Sequence, residues 1–269
     1  MLITSNAQDF RASNLVFVPT MGALHEGHAS LIQQARQLSD QVVVSIFVNP
    51  LQFENQSDLE KYPRTPEKDA EVAKNAGATI LWMPDFKDVY PGEVMMVEPG
   101  PIGNILEGAS RPAHFQGVLT VVKRLFDLVQ PKSAIFGEKD FQQLFLIKEM
   151  VRKLQIPISI VAGKTIRDAD GLAISSRNVR LSAHDRDNAL VIFQALTAAN
   201  EMESLSEIQE TLIETLSSKP EFLLDYACVV DEKSFEFAGE ESFSKRALVA
   251  GWVNGVRLID NMPMKARVR

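Results

Sequence analysis

Over roughly the first 165 residues, short runs of β-branched and aromatic residues alternate with stretches whose apolar positions recur every third or fourth residue. That pattern predicts strands alternating with amphipathic helices. Leu15–Val18 reads as a first strand ending at Pro19, and Leu31, Ile32, Ala35 and Leu38 mark one helical face between Gly27 and about Leu38. Gln41–Val48 is an unbroken apolar run, as expected of a strand buried on both faces. Thr65-Pro66 supplies an N-cap and a first-turn proline for a helix that Gly77 stops, and Ile80–Met83 is the next strand. Val118–Val129 reads as a helix ended before Pro131, Ala134–Phe136 as a strand, Glu138–Leu154 as a helix and Ile158–Val161 as a strand. Strand followed by helix, about five times over, predicts an α/β fold: a Rossmann-type doubly wound parallel sheet.

Two regions break the alternation. Residues 84–110 are rich in Pro and Gly and are expected to form a long irregular excursion of the kind that often carries function. Beyond about residue 170, Ser182-Ala183-His184-Asp185 forms a capping-box pattern for a helix reaching about Met202, and Ser206-Glu207-Ile208-Gln209 starts a candidate second one. Leu223–Val230 and Arg246–Ile259 then read as strands. The expected organisation is a catalytic domain over residues 1–170 and a smaller C-terminal α+β domain over 171–269.

Composition narrows the function classes. The net charge of −7 argues against a general nucleic-acid surface, which needs a basic face, but permits a small anion in a local basic pocket. One cysteine, Cys228, allows no intrachain disulfide, which fits a reducing compartment. Residues 1–14 lack the basic start and apolar run of a secretory signal. No apolar stretch approaches membrane-spanning length. A cytoplasmic protein without a membrane partner is expected.

Three segments bring together residues able to do chemistry. The first strand leads into Pro19-Thr20-Met21-Gly22-Ala23-Leu24-His25-Glu26-Gly27-His28 and then a helix. A glycine-bearing turn at a helix N-terminus offers backbone N–H groups and a positive dipole end to an anion. Gly22 and Gly27 are expected to leave room for a ligand, and His25 and His28, three apart, share a helical face from which both could donate to phosphate. Capping or core roles are the plainer alternative. The H-x-x-H run lacks metalloprotease spacing and an evident third ligand, so zinc is not expected.

The second segment, Gly137-Glu138-Lys139-Asp140-Phe141-Gln142-Gln143, lies where a strand meets its helix. Lys139 supplies a compact cation for phosphate and Asp140 a partner for a ribose hydroxyl or a metal-bound water. Acidic residues complementing the helix dipole explain Glu138 and Asp140 equally well, but not Lys139. The third is polar and glycine-bearing, Thr165 to Asn178, where Ser175, Ser176 and Arg177 form a candidate phosphate clamp or, equally, part of a polar linker. Asn49, Gln52, Arg111 and His114 are further polar groups near strand ends or after the excursion, where binding sites of such sheets lie.

Taken together, VPTMGALHEGH, VSIFVNPLQF, YPRT, LEGASRPAHFQGV, FGEKDFQQL and DGLAISSRN, in that order, resemble the pantoate–β-alanine ligase family of the HIGH/KMSKS adenylylating superfamily. The resemblance is nearly continuous over residues 15–180 and weaker to Arg246 and Leu258-Ile259-Asp260-Asn261. It implies ATP-dependent joining of pantoate to β-alanine through a pantoyl adenylate, with AMP and pyrophosphate released, by a homodimer. The resemblance assigns Met21, Gly22, Ala23, Leu24, His25, Glu26, Gly27 and His28 to the ATP-binding turn, with His28 a proton donor. It assigns Gly137, Glu138, Lys139 and Asp140 to nucleotide binding, Ile166 to adenine, and Ile174, Ser175, Ser176 and Arg177 to a loop over the triphosphate. Gln52 and Gln143 would hold pantoate, with Asn49, Arg111 and His114 nearby. Mg²⁺ is implied on the triphosphate with Asp69 as the family-like protein ligand. Lys68 stands where the family often has an acid, and the short leader leaves little room for the family's N-terminal helix.

Overall fold

The computed structural model describes residues 1–10, 14–53 and 59–265. They fold as two compact units, residues 1–138 with 142–164, and residues 139–141 with 165–269.

The first unit is built on six parallel strands: β1 (Leu2–Thr4), β2 (Val16–Thr20), β3 (Val42–Ile46), β4 (Ile80–Trp82), β5 (Ser133–Gly137) and β6 (Ser159–Gly163). Their order is β1-β4-β3-β2-β5-β6. From β2 the chain winds outward one way to β3 and later the other way to β5, so the topology reverses at β2. Ligands of such sheets bind at the carboxyl ends of the strands beside that reversal.

Alternation along β2 shows why both faces are covered. Val16 and Val18 join Ile32 and Ala35 of helix Glu26–Leu38 and Ala73 and Ala76 of helix Pro66–Ala76 in one core. Phe17 points the other way, into a core with Phe115, Leu119 and Val122 of helix His114–Val129 and Leu144 and Ile147 of helix Phe141–Lys153. A strand flanked by two cores has no polar face, which is why these strands read as continuous apolar runs.

The second unit packs helices Ala183–Ala189, Val191–Ala199 and Leu205–Ser217 with an antiparallel sheet of β7 (Phe222–Asp231), β8 (Lys245–Val253) and β9 (Val256–Pro263).

The α/β architecture is as expected, and several boundaries differ. Arg246–Ile259 is two strands, because Asn254 (φ 46°) and Gly255 (φ 73°) fold the chain back. Two successive positive φ angles at Asn-Gly are the backbone of a tight hairpin turn. The helix expected to reach Met202 is divided at Leu190 and ends at Ala199. Helix Val118–Val129 begins four residues earlier, at His114. Residues 84–110 include short helices at Phe86–Val89 and Glu107–Ser110. Within the leader, Leu2–Thr4 adds the unanticipated edge strand β1, while residues 11–13 lie outside the described residues.

Candidate active site

The turn at the carboxyl end of β2 is held by a carboxylate from another helix. Asp69, 1% exposed, accepts from the backbone N–H of Ala23 (3.0 Å) and of Leu24 (2.7 Å) and from the Thr65 hydroxyl (3.0 Å). Thr20 fastens the other side: its hydroxyl donates to the Ser45 carbonyl (2.6 Å) and accepts from Gly22 N–H (3.2 Å). Ala23 sits at φ 52°, a left-handed geometry unfavourable for a residue with a side chain, and the hydrogen bonds that Ala23 and Leu24 N–H donate to Asp69 offset that cost.

The two glycines are also required by the protein's own packing. A Cβ on Gly22 (φ 84°) would lie 3.0 Å from an Asp69 carboxylate oxygen, and one on Gly27 would lie 2.9 Å from the His25 ring. The space that a Cβ would need at both positions is taken by the protein's own side chains. Gly27 lets His25 fold against the first helical turn, where its ring centroid stands 4.0 Å from that of His28. The backbone N–H of His25 donates to Nδ1 of His28 (3.3 Å). With Nδ1 accepting, the neutral His28 ring carries its proton on Nε2 and can donate from there.

Beside the turn lies a buried polar cluster. Asn49 is fully buried and Gln52 is 8% exposed. The Asn49 amide nitrogen donates to Gln52 Oε1 (3.3 Å) and to the Gly117 carbonyl (3.1 Å), while Asn49 Oδ1 accepts from the Tyr90 hydroxyl (3.2 Å). Burial pushes the Tyr90 hydroxyl pKa upward, so it remains a donor. These bonds orient the Gln52 amide so that Nε2 faces the Met21 sulfur at 3.1 Å. A thioether is a weak acceptor, so a ligand oxygen would be the better partner for that N–H. Asn49 thus supports Gln52.

His114 is wired similarly. Its Nε2 faces Arg111 Nη1 (3.0 Å) and its Nδ1 faces the Gln52 carbonyl (2.9 Å). A guanidinium only donates and a carbonyl only accepts, so the proton of the neutral ring is on Nδ1. His114 therefore links Arg111 to the Gln52 backbone. Glu26 is exposed at the helix start, and a cavity of about 310 Å³ lined by Met21, Gly22, Arg64 and Asp69 opens beside the turn.

Gln142, which the sequence reading did not single out, is 4% exposed. It donates to the carbonyls of Ile102 (2.8 Å) and Ile105 (2.9 Å) and accepts from Glu107 N–H (3.1 Å), pinning the irregular excursion. Its neighbour Gln143 is half-buried. A Gln-Gln pair at a helix start was the available signal. Gly137 ends β5 and pairs with Gly163, and Glu138 follows, half-buried.

In the second unit Lys139 is half-buried and Asp140 exposed. Ile166 and Ile174 are brought opposite one another: Ile174 N–H donates to the Ile166 carbonyl (3.0 Å), beside a bridge between Arg167 and Ala173. Arg167 itself is paired with Asp260 at 2.5 and 3.0 Å. Ser175, Ser176 and Arg177 continue from this narrow hairpin, all half-buried, and Ser175 Oγ accepts from Arg177 N–H at 3.3 Å.

Asp69 fits poorly as a metal ligand, with three donors already on its two oxygens and almost no exposure. Among the described residues no three His, Cys, Asp or Glu side chains converge in a cluster able to hold an ion.

A family model described as pantoate-beta-alanine ligase matches residues 3–263. The chain is 43% identical over 282 residues to the pantothenate synthetase of Thermobifida fusca, spanning 98% of this chain and 95% of that one. Among solved structures, a pantothenate synthetase from Thermus thermophilus matches with a TM-score of 0.92 and 43% identity over 97% of this chain and 99% of that one. A pantoate-beta-alanine ligase from Francisella tularensis, solved with beta-gamma ATP and beta-alanine, matches with a TM-score of 0.80 and 36% identity over 97% of each chain.

Proposed function

Since the chain belongs to the pantoate–β-alanine ligase family, we propose how its residues divide that reaction. The reaction is the ATP-dependent condensation of (R)-pantoate with β-alanine, a carbon–nitrogen ligation. The pantoate carboxylate forms a bond to the α-phosphorus as the α–β anhydride breaks and pyrophosphate leaves. The β-alanine amine then bonds to the acyl carbon of the pantoyl adenylate, AMP leaves, and the amine's proton passes to solvent.

The observation that carries the assignment is the locked turn after β2. Asp69 and Thr20 fix its backbone, and His28 presents Nε2–H from the first helical turn. Residues Met21 to His28 receive the ATP phosphates, where His25 and His28 donate as negative charge grows on the departing group. Lys139 adds a positive charge that matters most as the adenylate forms. Gln52, held by Asn49, donates to pantoate, with Gln143 as the second contact and Arg111 and His114 supporting the Gln52 backbone. Gly137, Glu138 and Asp140 belong to the nucleotide side, Ile166 and Ile174 to the adenine side, and Ser175, Ser176 and Arg177 to the closing loop.

Mg²⁺, when bound, neutralises triphosphate charge and keeps most of its water. We place it on phosphate oxygens, since Asp69 is engaged with the turn. On family resemblance we propose a homodimer that works in the cytoplasm on small molecules, without nucleic acid or membrane. No helix among the described residues is long and apolar enough to cross a membrane.

The test incubates purified protein with ATP, Mg²⁺ and pantoate, then β-alanine. AMP and pantothenate in equal amounts support the reading. A product that keeps the nucleotide, as a nucleotidyltransferase would give, overturns it.

A further inference from the structure

One end of β9 carries a buried polar pair that the reaction scheme leaves unused. Asn261 and Asp260 are 3% and 5% exposed, and Arg246 on the neighbouring strand is 6% exposed. Three such residues cost folding free energy unless their polar atoms are satisfied. Asn261 Oδ1 accepts from Arg246 Nη1 (2.6 Å), and Asn261 Nδ2 donates to the backbone carbonyl of Lys139 (2.9 Å), a residue 122 positions earlier in the chain. The guanidinium can only donate and the carbonyl can only accept, so the amide has one satisfactory orientation. Arg246 is itself fixed from two sides: Nε donates to Glu232 (2.6 Å), and its guanidinium lies 4.2 Å from the centre of the Phe141 ring. Phe141 stacks in turn on buried Phe235.

The strip 139–141 is therefore gripped at both ends, Lys139 by its carbonyl and Phe141 by its ring, and both grips end on Arg246 and Asn261. Asp260 continues the chain of bonds. Its Oδ1 accepts from Asn261 N–H (2.8 Å), and its carboxylate pairs with Arg167, next to Ile166.

We infer that Asn261 is a positioning residue for Lys139: it fixes the backbone from which the ammonium reaches the reacting phosphate. The inference rests on Lys139 acting in adenylation. A lysine side chain has four rotatable carbons, so its charge is delivered accurately only if its backbone is held.

Asn261→Asp removes the donor, because a carboxylate still accepts from Arg246 but offers no hydrogen to the Lys139 carbonyl. Adenylation is measured as pantoate-dependent exchange of labelled pyrophosphate into ATP, in four proteins: wild type, Asn261→Asp, Lys139→Ala and the double variant. Asn261→Asp is expected to lower the exchange kcat about tenfold, the size of one lost hydrogen bond, with the ATP KM changed less than about twofold. In the Lys139→Ala background the same substitution should cost less than about twofold, because positioning has nothing left to position.

Equal losses in both backgrounds, or no loss in the first, overturn the inference while leaving the Lys139 role intact. If Lys139→Ala alone leaves exchange unchanged, the Lys139 reading fails instead. Thermal melts of each variant accompany the rates, and Asn261→Leu, similar in size and without a hydrogen to donate to the Lys139 carbonyl, serves as the second variant if Asn261→Asp does not fold.

Discussion

Asp69 shows how much one side chain can decide at this site. Both oxygens are committed to the turn, so Asp69→Asn directs an NH₂ group at a backbone N–H and leaves a buried donor without its acceptor. Such a loss costs about 1–3 kcal/mol. The ATP KM is expected to rise and Tm to fall, while the Mg²⁺ concentration giving half-maximal rate stays unchanged. A large rise in that Mg²⁺ requirement would return Asp69 to the ion. Lys139→Ala should cut the adenylation kcat by about 10²-fold or more, with a smaller change in ATP KM, because charge stabilisation is strongest in the transition state. Gln52→Ala should raise the KM for pantoate well above any change for ATP, and steady-state kinetics with each substrate varied would show it. Of these residues, the histidine turn was legible in the sequence because its geometry is local, with Gly27 and two imidazoles three positions apart. The role of Asp69 was not, since its backbone partners lie 45 and 46 residues away. Gln142 was hidden for the same reason, its three bonds reaching back 35 to 40 residues.

Between elements, contact distance governs what is tolerated. Helix His114–Val129 approaches the Pro50–Gln52 turn so closely that a Cβ on Gly117 would stand 2.2 Å from the Leu51 carbonyl oxygen. Backbone cannot swing aside as a side chain can. Gly117→Ala should destabilise by about 1–3 kcal/mol through overpacking, roughly 2–10 °C in Tm for a chain of this size. It should also raise the pantoate KM, because Asn49 and Gln52 sit on that turn and Asn49 bonds the Gly117 carbonyl. Unchanged pantoate kinetics in a destabilised variant would separate the turn from the site. Helices and strands with strong periodicity were legible, and so was Gly77 as a helix stop, where φ of 102° suits glycine. Periodicity failed where it had too little length or an interruption. Leu2–Thr4 is three residues long, and the Asn254-Gly255 turn lies between β-branched runs that read as one strand. His114–Gly117 at the start of its helix lacks an apolar stripe, so that turn of helix was not anticipated.

At the scale of the whole molecule, charge is distributed by region. Residues 201–241 hold 12 acidic and 2 basic side chains, whereas the last 28 residues hold 6 basic and 1 acidic. The overall −7 therefore says little about the anion site, which depends on a few placed cations. Within the second unit, Arg186 hydrogen-bonds Asp170 and holds its carboxyl below the ordinary range. A lowered folded pKa contributes stability above the unfolded value near 3.8 and loses it as pH falls through the folded value. Arg186→Ala should thus lower Tm at pH 7 and pH 5, with the gap from wild type narrowing below about pH 4. The membership of residues 139–141 in that unit was invisible to a linear reading, which places them between β5 and its helix. In the proposed scheme this chain activates pantoate by adenylation before any amine arrives. Exchange of labelled pyrophosphate into ATP, measured without β-alanine, tests it most directly. Exchange that requires pantoate, and gives way to AMP and pantothenate when β-alanine is added, is the predicted result. Folded protein that shows no exchange with pantoate, or exchanges equally without it, would rule out a pantoyl adenylate.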